Sequence, residues 1–424
     1  MTFESAILAL FDFAFYYPLF MAYVWVTAAL YYFYYRERVE RRPYYDPPRL
    51  PETPGVTFIV PCHNEGENVR ETIGALLEQD YPEFEVIAIN DASADRTGEI
   101  VEEMARVNDR LRVIHFETNQ GKALGLRAGA LAANNEILVC IDGDAILERH
   151  ATRWLAWHFS QGPRVGAVTG NPRVRNGTTL LGKIQVGEFS SIVGLIKRAQ
   201  RIYGRVFTVS GVVAAFRRSA LHQVGYWSLD MVTEDIDISW KLQLNHWDVR
   251  YEPNALCYIL MPETLGGLWR QRLRWAQGGV EVLIRHFRKL LSWRSRRMWL
   301  VSAELIVSTF WAYVMAFVFC VWLAGKFFAL PPPLEVTAVL PGWAGTILGF
   351  TCLLQFGISL IIDGRYEPRT LGRYYYWMIW YPMIYWTIHA AASVAAVPKA
   401  LYKRRGSRAI WVSPDRGIRP ETGD

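Results

Sequence analysis

Hydrophobic and polar positions divide the chain into apolar ends and an alternating middle. The stretch Phe13–Tyr35 carries no charge, and neither do Leu305–Gly325, Val336–Ile362 and Tyr374–Pro398. Runs of this length can cross a hydrocarbon core of about 30 Å. Pro382 interrupts the last one, so that run suits an interfacial or re-entrant segment as well as a span. The first run is aromatic at both ends, as interfacial belts are. It has no basic region before it and no small-residue cleavage site, so it does not read as a removable signal.

The middle, Pro43 to Arg297, opens with a stiff linker carrying Pro43, Pro47, Pro48, Pro51 and Pro54. Val56–Val60, Glu85–Asn90, Arg112–Phe116 and Ile137–Ile141 then read as strands. Glu67–Gln79, Arg96–Val107 and Lys122–Ala133 read as helices between them. This alternation predicts an α/β domain with a mostly parallel, Rossmann-like sheet. Ligands of such sheets bind at the carboxyl ends of the strands. Three of those ends are polar: Pro61-Cys62-His63-Asn64-Glu65, Asn90-Asp91-Ala92-Ser93 and Asp142-Gly143-Asp144. Two later stretches, Gly182–Arg201 and Trp269–Phe287, are amphipathic. They suit either a membrane surface or a half-buried helix.

Charge sets the orientation. Arg36, Arg38, Arg41 and Arg42 follow the first apolar run, and Arg294, Arg296 and Arg297 precede the second. By the positive-inside rule they flank a cytoplasmic middle, with the N-terminus outside. The tail, with Lys403, Arg404, Arg405 and Arg408, is expected inside as well. The expected division is an N-terminal transmembrane segment over 1–42, a cytoplasmic domain with interfacial helices over 43–298, α-helical transmembrane segments over 299–400, and a tail over 401–424.

Composition removes other classes. Charged residues make up only 20% and hydrophobic ones 51%, so the net charge of +6 does not indicate a nucleic-acid partner. Cys62, Cys140, Cys257, Cys320 and Cys352 are scattered without a CxxC pair, which excludes a zinc site or disulfide framework. His389 alone lies deep in an apolar run and reads as a hydrogen-bonding side chain between helices. The runs are therefore not an ion pathway.

The candidate chemistry is carboxylate-based. Asp142 and Asp144 can chelate a hard divalent cation through oxygen, and Asp91 ends a neighbouring strand. In Thr233-Glu234-Asp235, Thr can cap a helix whose first turn favours acids, and a carboxylate can serve as general base near a hydroxyl. Gln271-Arg272-Leu273-Arg274-Trp275 combines cations for a diphosphate with a flat ring for a sugar. It also suits an interfacial helix with snorkelling arginines.

The order Asp91, Asp142-Gly143-Asp144, Thr233-Glu234-Asp235, Gln271-xx-Arg274-Trp275, then apolar runs, resembles the processive family-2 glycosyltransferases. VPCHNE, NDASAD, NQGKALGLRAGA, GKIQVGEFSSIVGLIKRAQ, TEDIDISWKLQL and the tail WVSPDRG are similar to bacterial poly-β-1,6-N-acetyl-D-glucosamine synthases. The resemblance spans about Phe20 to Gly417. It implies a GT-A-like fold and an inner-membrane enzyme that polymerises N-acetylglucosamine from UDP-GlcNAc into a biofilm exopolysaccharide. It further implies that Pro61, Glu65, Asp91 and Lys122 surround the uridine, with Asp142 at the nucleotide. Asp144 then binds Mg²⁺ or Mn²⁺ on the diphosphate. Asp235 becomes the general base beside Glu234, and Gln271, Arg274 and Trp275 hold diphosphate and acceptor. Its partners are the growing poly-GlcNAc chain, the lipid bilayer and a small two-span membrane subunit. The chain has no PilZ-like module, so any cyclic di-GMP regulation needs that partner. Cellulose, chitin and hyaluronan synthases share the core motifs and remain alternatives. A transporter is the non-enzymatic one.

Overall fold

The computed structural model describes residues 2–39, 42–336, 342–367, 371–403, 406 and 408. Arg41, Arg404, Arg405, residues 337–341 of the third apolar run and the WVSPDRG segment lie outside them. Helix α1 (Phe3–Tyr32) continues through a π-helical turn to Glu37. The proline-rich linker is pinned to the domain: Trp154 Nε1 donates to Tyr44 O at 2.6 Å, and Tyr81 OH to Pro54 O at 2.6 Å.

The α/β domain then runs β1 (Val56–Cys62), α2 (Val69–Leu77), β2 (Phe84–Asp91), α3 (Thr97–Arg106), β3 (Leu111–Phe116), α4 (Lys122–Ala132) and β4 (Ile137–Ile141). All residues of β1 and β4 are buried, as strands covered on both faces require. It continues through β5 (Ile146–Leu147), α5 (Ala151–Ser160), β6 (Val165–Val174), α6 (Leu180–Phe189), α7 (Ile196–Ile202), β7 (Val213–Arg217), α8 (Arg218–Val224), α9 (Glu234–Leu244) and β8 (Asp248–Ile259). The strands form one sheet in the order β3-β2-β1-β4-β7-β6-β8-β5. β1 to β4 pair in parallel, as the alternation predicts. Beyond β4 the sheet is mixed: β7 runs antiparallel to β4 and β6, and β5 antiparallel to β8.

Helix α10 (Leu265–Leu290) leads to α11 (Trp299–Ala324), α12 (Gly342–Asp363), α13 (Leu371–Tyr374) and α14 (Trp386–Tyr402). Among the described residues three helices are long and apolar enough to cross a membrane: Phe3–Glu37, Trp293–Ala324 and Trp343–Asp363. Tyr374–Pro398 is not one continuous helix. Tight and wide turns over Tyr375–Ile379 and Tyr381–Tyr385 break it around Pro382, whose missing N–H cannot continue an α-helical ladder.

The stretch Gly182–Arg201 is neither a surface helix nor a half-buried one. A π-helical segment, Ser190–Leu195, joins α6 to α7, and its polar side chains Gln185, Glu188, Lys197 and Arg198 are all buried. Arg198 explains why. Its Nε is 2.6 Å from Glu37 Oε1 and its Nη1 2.9 Å from Asp363 Oδ1. Arg173 completes the cluster, with Nη1 2.6 Å from Asp363 Oδ2 and Nη2 3.1 Å from Glu367 Oε2. Buried ions persist only when paired and hydrogen-bonded. Here they join the ends of α1 and α12 to α7 and β6.

Candidate active site

The carboxyl ends of β1, β2 and β4 and the starts of α4 and α9 converge on one acidic cleft. Asp91 is fully buried at the end of β2. Its two oxygens accept the backbone N–H groups of Gln120 (2.7 Å) and Gly121 (2.8 Å). Gly121 has φ +85°, a conformation that costs a non-glycine residue free energy. Asp91 thus fixes the loop that starts α4 and aims Lys122.

Lys122 joins two motifs. Its Nζ lies 2.5 Å from Asp142 Oδ1 and 3.3 Å from Glu234 Oε1, and donates to Gly211 O at 3.1 Å. Burial works against the Lys122 charge, but Asp142 and Glu234 outweigh it and hold the amine above its ordinary range. Burial likewise pushes Asp142 up, with Lys122 opposing. Asp144 is pushed up to about 7, first by burial and then by Asp142. Crowding two carboxylates disfavours ionising both, and a divalent cation relieves that crowding. Among the described residues no group of three or more His, Cys, Asp or Glu could hold a metal ion. Two carboxylates are too few to hold a cation alone, so one at Asp142 and Asp144 would need its shell completed by a ligand's own oxygens.

Pro61 and Glu65 lie beside this pair. Pro61 is buried in register with Ile89. Glu65 is buried, accepts from Asn68 Nδ2 at 3.0 Å, and packs where a side chain at Gly143 would meet its Cγ at 3.1 Å.

Thr233 occupies the N-cap position of α9 but makes no capping bond with its side chain. Its hydroxyl is buried without a partner, because α10 approaches too closely: a Cβ at Gly278 would lie 1.8 Å from Thr233 Oγ1. Asp235 is half-buried. Its Oδ1 accepts its neighbour's backbone N–H at Ile236 (2.9 Å), and its backbone carbonyl accepts from Ser239 Oγ (2.6 Å). Burial, and then Glu234, push it up to about 6 against the pull of Lys122 and Arg274.

The remaining expected residues line α10. Arg274 is exposed and within electrostatic reach of Asp142 and Asp235. Gln271 approaches Met261 Sδ at 3.9 Å, and its carbonyl oxygen is buried without a partner. Trp275 carries the Arg272 guanidinium 4.4 Å from its ring centroid, so one of its faces is already covered. Arg272 is buried and bonds Glu188 Oε2 at 2.5 Å. Glu188 also accepts from Tyr385 OH (3.1 Å), and its Oε1 lies 2.5 Å from His389 Nε2. The hydrogen bond expected of His389 is thus present, with α6 as partner.

The residues between 54 and 278 match the family model described as glycosyltransferase like family 2. A poly-β-1,6-N-acetyl-D-glucosamine synthase of Staphylococcus epidermidis is 40% identical over 408 residues, covering 96% of this chain and 98% of the relative. One from Staphylococcus aureus is 38% identical over 410 residues, with 96% and 98% covered. The chain belongs to the poly-β-1,6-N-acetyl-D-glucosamine synthases of glycosyltransferase family 2. A mannosyltransferase from Pyrobaculum calidifontis, solved with GDP-mannose and Mn²⁺, superposes with TM-score 0.61 over 94% of this chain and 99% of that one, at 23% identity. That likeness shows the fold, GT-A. All the expected site residues thus fall on one enzyme scaffold, which leaves no place for the transporter alternative. Sequence reasoning missed Glu188, Lys197 and Arg198, and read Arg272 as a ligand or snorkelling cation where it is a buried partner of Glu188. The signal for the first three was charge inside GKIQVGEFSSIVGLIKRAQ, a stretch too apolar to be a solvated face.

Proposed function

We propose that this synthase takes N-acetylglucosamine from UDP-GlcNAc and adds it to the 6-hydroxyl of a growing poly-GlcNAc chain, with inversion. The carrying observation is Asp235, held at the start of α9 beside the Lys122–Asp142 pair with a proton affinity near neutrality. A general base works best with a pKa close to the operating pH. Asp235 takes the hydroxyl proton as the acceptor oxygen bonds to the sugar's anomeric carbon. The bond from that carbon to the diphosphate breaks, and its electron pair leaves with UDP. One in-line displacement turns an α-linked donor into a β-linked product, so no carboxylate nucleophile is needed.

Asp142 and Asp144 would hold Mg²⁺ or Mn²⁺, which supplies Lewis-acid stabilisation to the leaving diphosphate. Lys122 and Arg274 add fixed positive charge on that side. Pro61, Glu65 and the Asp91-anchored loop form the uridine side. Gln271 and Trp275 receive the acceptor. The domain lies on the cytoplasmic side, where the donor is made. Coupling to export is supported by Glu188, which ties α10 to Tyr385 and His389 in the broken apolar segment.

The test is a radiolabelled donor assay across UDP-sugars on membranes carrying the protein, with linkage analysis of the polymer. UDP-GlcNAc should be used and 1,6-linkages found. A product of glucose, or of 1,4-linked N-acetylglucosamine, overturns the substrate assignment.

A further inference from the structure

Lys197, on α7, is 5% exposed and has no carboxylate within ion-pair distance among the described residues. Its Nζ donates to Thr169 Oγ1 at 3.1 Å and Ser210 Oγ at 2.6 Å, and lies 6.0 Å from the Tyr251 ring centroid. Withdrawing an ammonium from water without a counter-ion is costly, so so buried a lysine calls for a compensating charge. Its neighbour Arg198, which also approaches the Tyr251 ring, has counter-ions of its own in Glu37 and Asp363.

The hydroxyls that hold Lys197 lead to Asp235. Ser210 N donates to Thr169 Oγ1 at 2.8 Å, closing a triangle with the lysine. The next residue is Gly211, where a Cβ would lie 3.0 Å from Asp235 Oδ2. On the near side, Val209 N donates to Ser239 Oγ, the same hydroxyl that donates to the Asp235 carbonyl. The segment Val209–Gly211 is therefore clamped between Lys197 and the first turn of α9. The charged groups around Asp235 are Glu234 on its own helix, Lys122 from α4, Arg274 from α10 and Lys197 from α7. Asp237 is turned away, to Ser228 and His286.

We infer that Lys197 is a positioning residue for the base: through Ser210 it seats Gly211 against Asp235, and its charge sets the carboxylate's readiness to accept a proton. This rests on Asp235 being the base. Lys122 is shared with Asp142, and Arg274 faces Asp142 as well. Lys197 has no such second carboxylate partner, so Asp235 is the anion it serves. Burial lowers the Lys197 amine to about 7, with Asp235 pulling the other way. The two groups then titrate in adjoining ranges and act as a pair.

A nearby cation favours the ionised carboxylate, so removing it raises the proton affinity of Asp235. In Lys197→Met the acidic limb of the kcat profile should move up by about one pH unit. The rate should fall about threefold at pH 6.5 and about tenfold at pH 5, and recover at pH 8.5, with UDP affinity unchanged. Lys197→Arg keeps the charge and should leave the limb in place even if kcat falls. A uniform loss in Lys197→Met at every pH, with an unmoved limb, overturns the inference, because that is what lost packing alone does. If Lys197→Met fails to accumulate in membranes, Ser210→Ala decides. Losing the shorter contact weakens the lysine's charge and should shift the limb in the same direction by less, while an unmoved limb again overturns it. Asp235→Asn separates the two levels. Wild-type polymerisation by that variant removes the base assignment and this inference with it. An inactive Asp235→Asn beside an unshifted Lys197→Met removes only the inference.

Discussion

The Lys122 ammonium lies 2.5 Å from Asp142 Oδ1, and the same nitrogen lies 3.3 Å from Glu234 Oε1. One cation thereby ties the carboxyl end of β4 to the first turn of α9. Any ligand phosphate entering beside Asp142 competes for it. Lys122→Met should weaken UDP binding and polymer formation together, by roughly 10²-fold in kcat/KM, the scale of one desolvated electrostatic contact. Equilibrium UDP binding beside initial rates checks this.

Asp235→Asn preserves shape and removes basicity. Polymer synthesis should fall by about 10² to 10⁴, with UDP affinity nearly unchanged. Because burial raises Asp235 to about 6, the active carboxylate is fully present above that pH. In the wild type, kcat should decline as pH falls through about 6.

Metal dependence should follow Asp144. Activity should disappear in EDTA and return with Mg²⁺ or Mn²⁺. With the Asp144 carboxyl raised to about 7, protons compete with the cation below that pH. The metal concentration for half-activity should rise about tenfold per unit there, as expected for one competing proton. Asp144→Ala should still insert into the membrane, since Asp144 lies outside the apolar helices.

The Arg272–Glu188 bond is buried at both ends. Removing one partner leaves an uncompensated ion, so Glu188→Ala should cost about 3–5 kcal/mol. Thermal unfolding of the detergent-solubilised protein measures that. Glu188→Ala with Arg272→Leu should be less destabilised than Glu188→Ala alone.

Orientation is tested at Glu117, which is exposed. A cysteine there should resist an impermeant thiol reagent in intact cells and react once they are opened. Labelling of intact cells would put the catalytic domain on the wrong side for a cytoplasmic donor.

The parallel half of the sheet was legible because β1 to β4 are short apolar runs separated by helical periodicity, and their polar ends mark the cleft. The boundaries moved little: the helix expected over Glu67–Gln79 is Val69–Leu77. The antiparallel half was not legible. β7 reaches its place between β4 and β6 only after the excursion through α6 and α7, a tertiary choice that no local period records. Lys197 and Arg198 misled for a related reason. Polar residues among apolar ones resemble a wet face, and only their partners Thr169, Ser210, Glu37 and Asp363 show that the face is dry.

The Glu37–Arg198–Asp363–Arg173 cluster has a consequence for how a polymer advances. It bolts α7 and β6 to the ends of two apolar helices through contacts of 2.6–2.9 Å, and sliding the catalytic domain over them would strand buried ions. Rocking of whole domains is therefore a poor stepping motor for this enzyme. On the proposed function, the growing chain would then have to advance past a catalytic domain that stays fixed to its apolar helices.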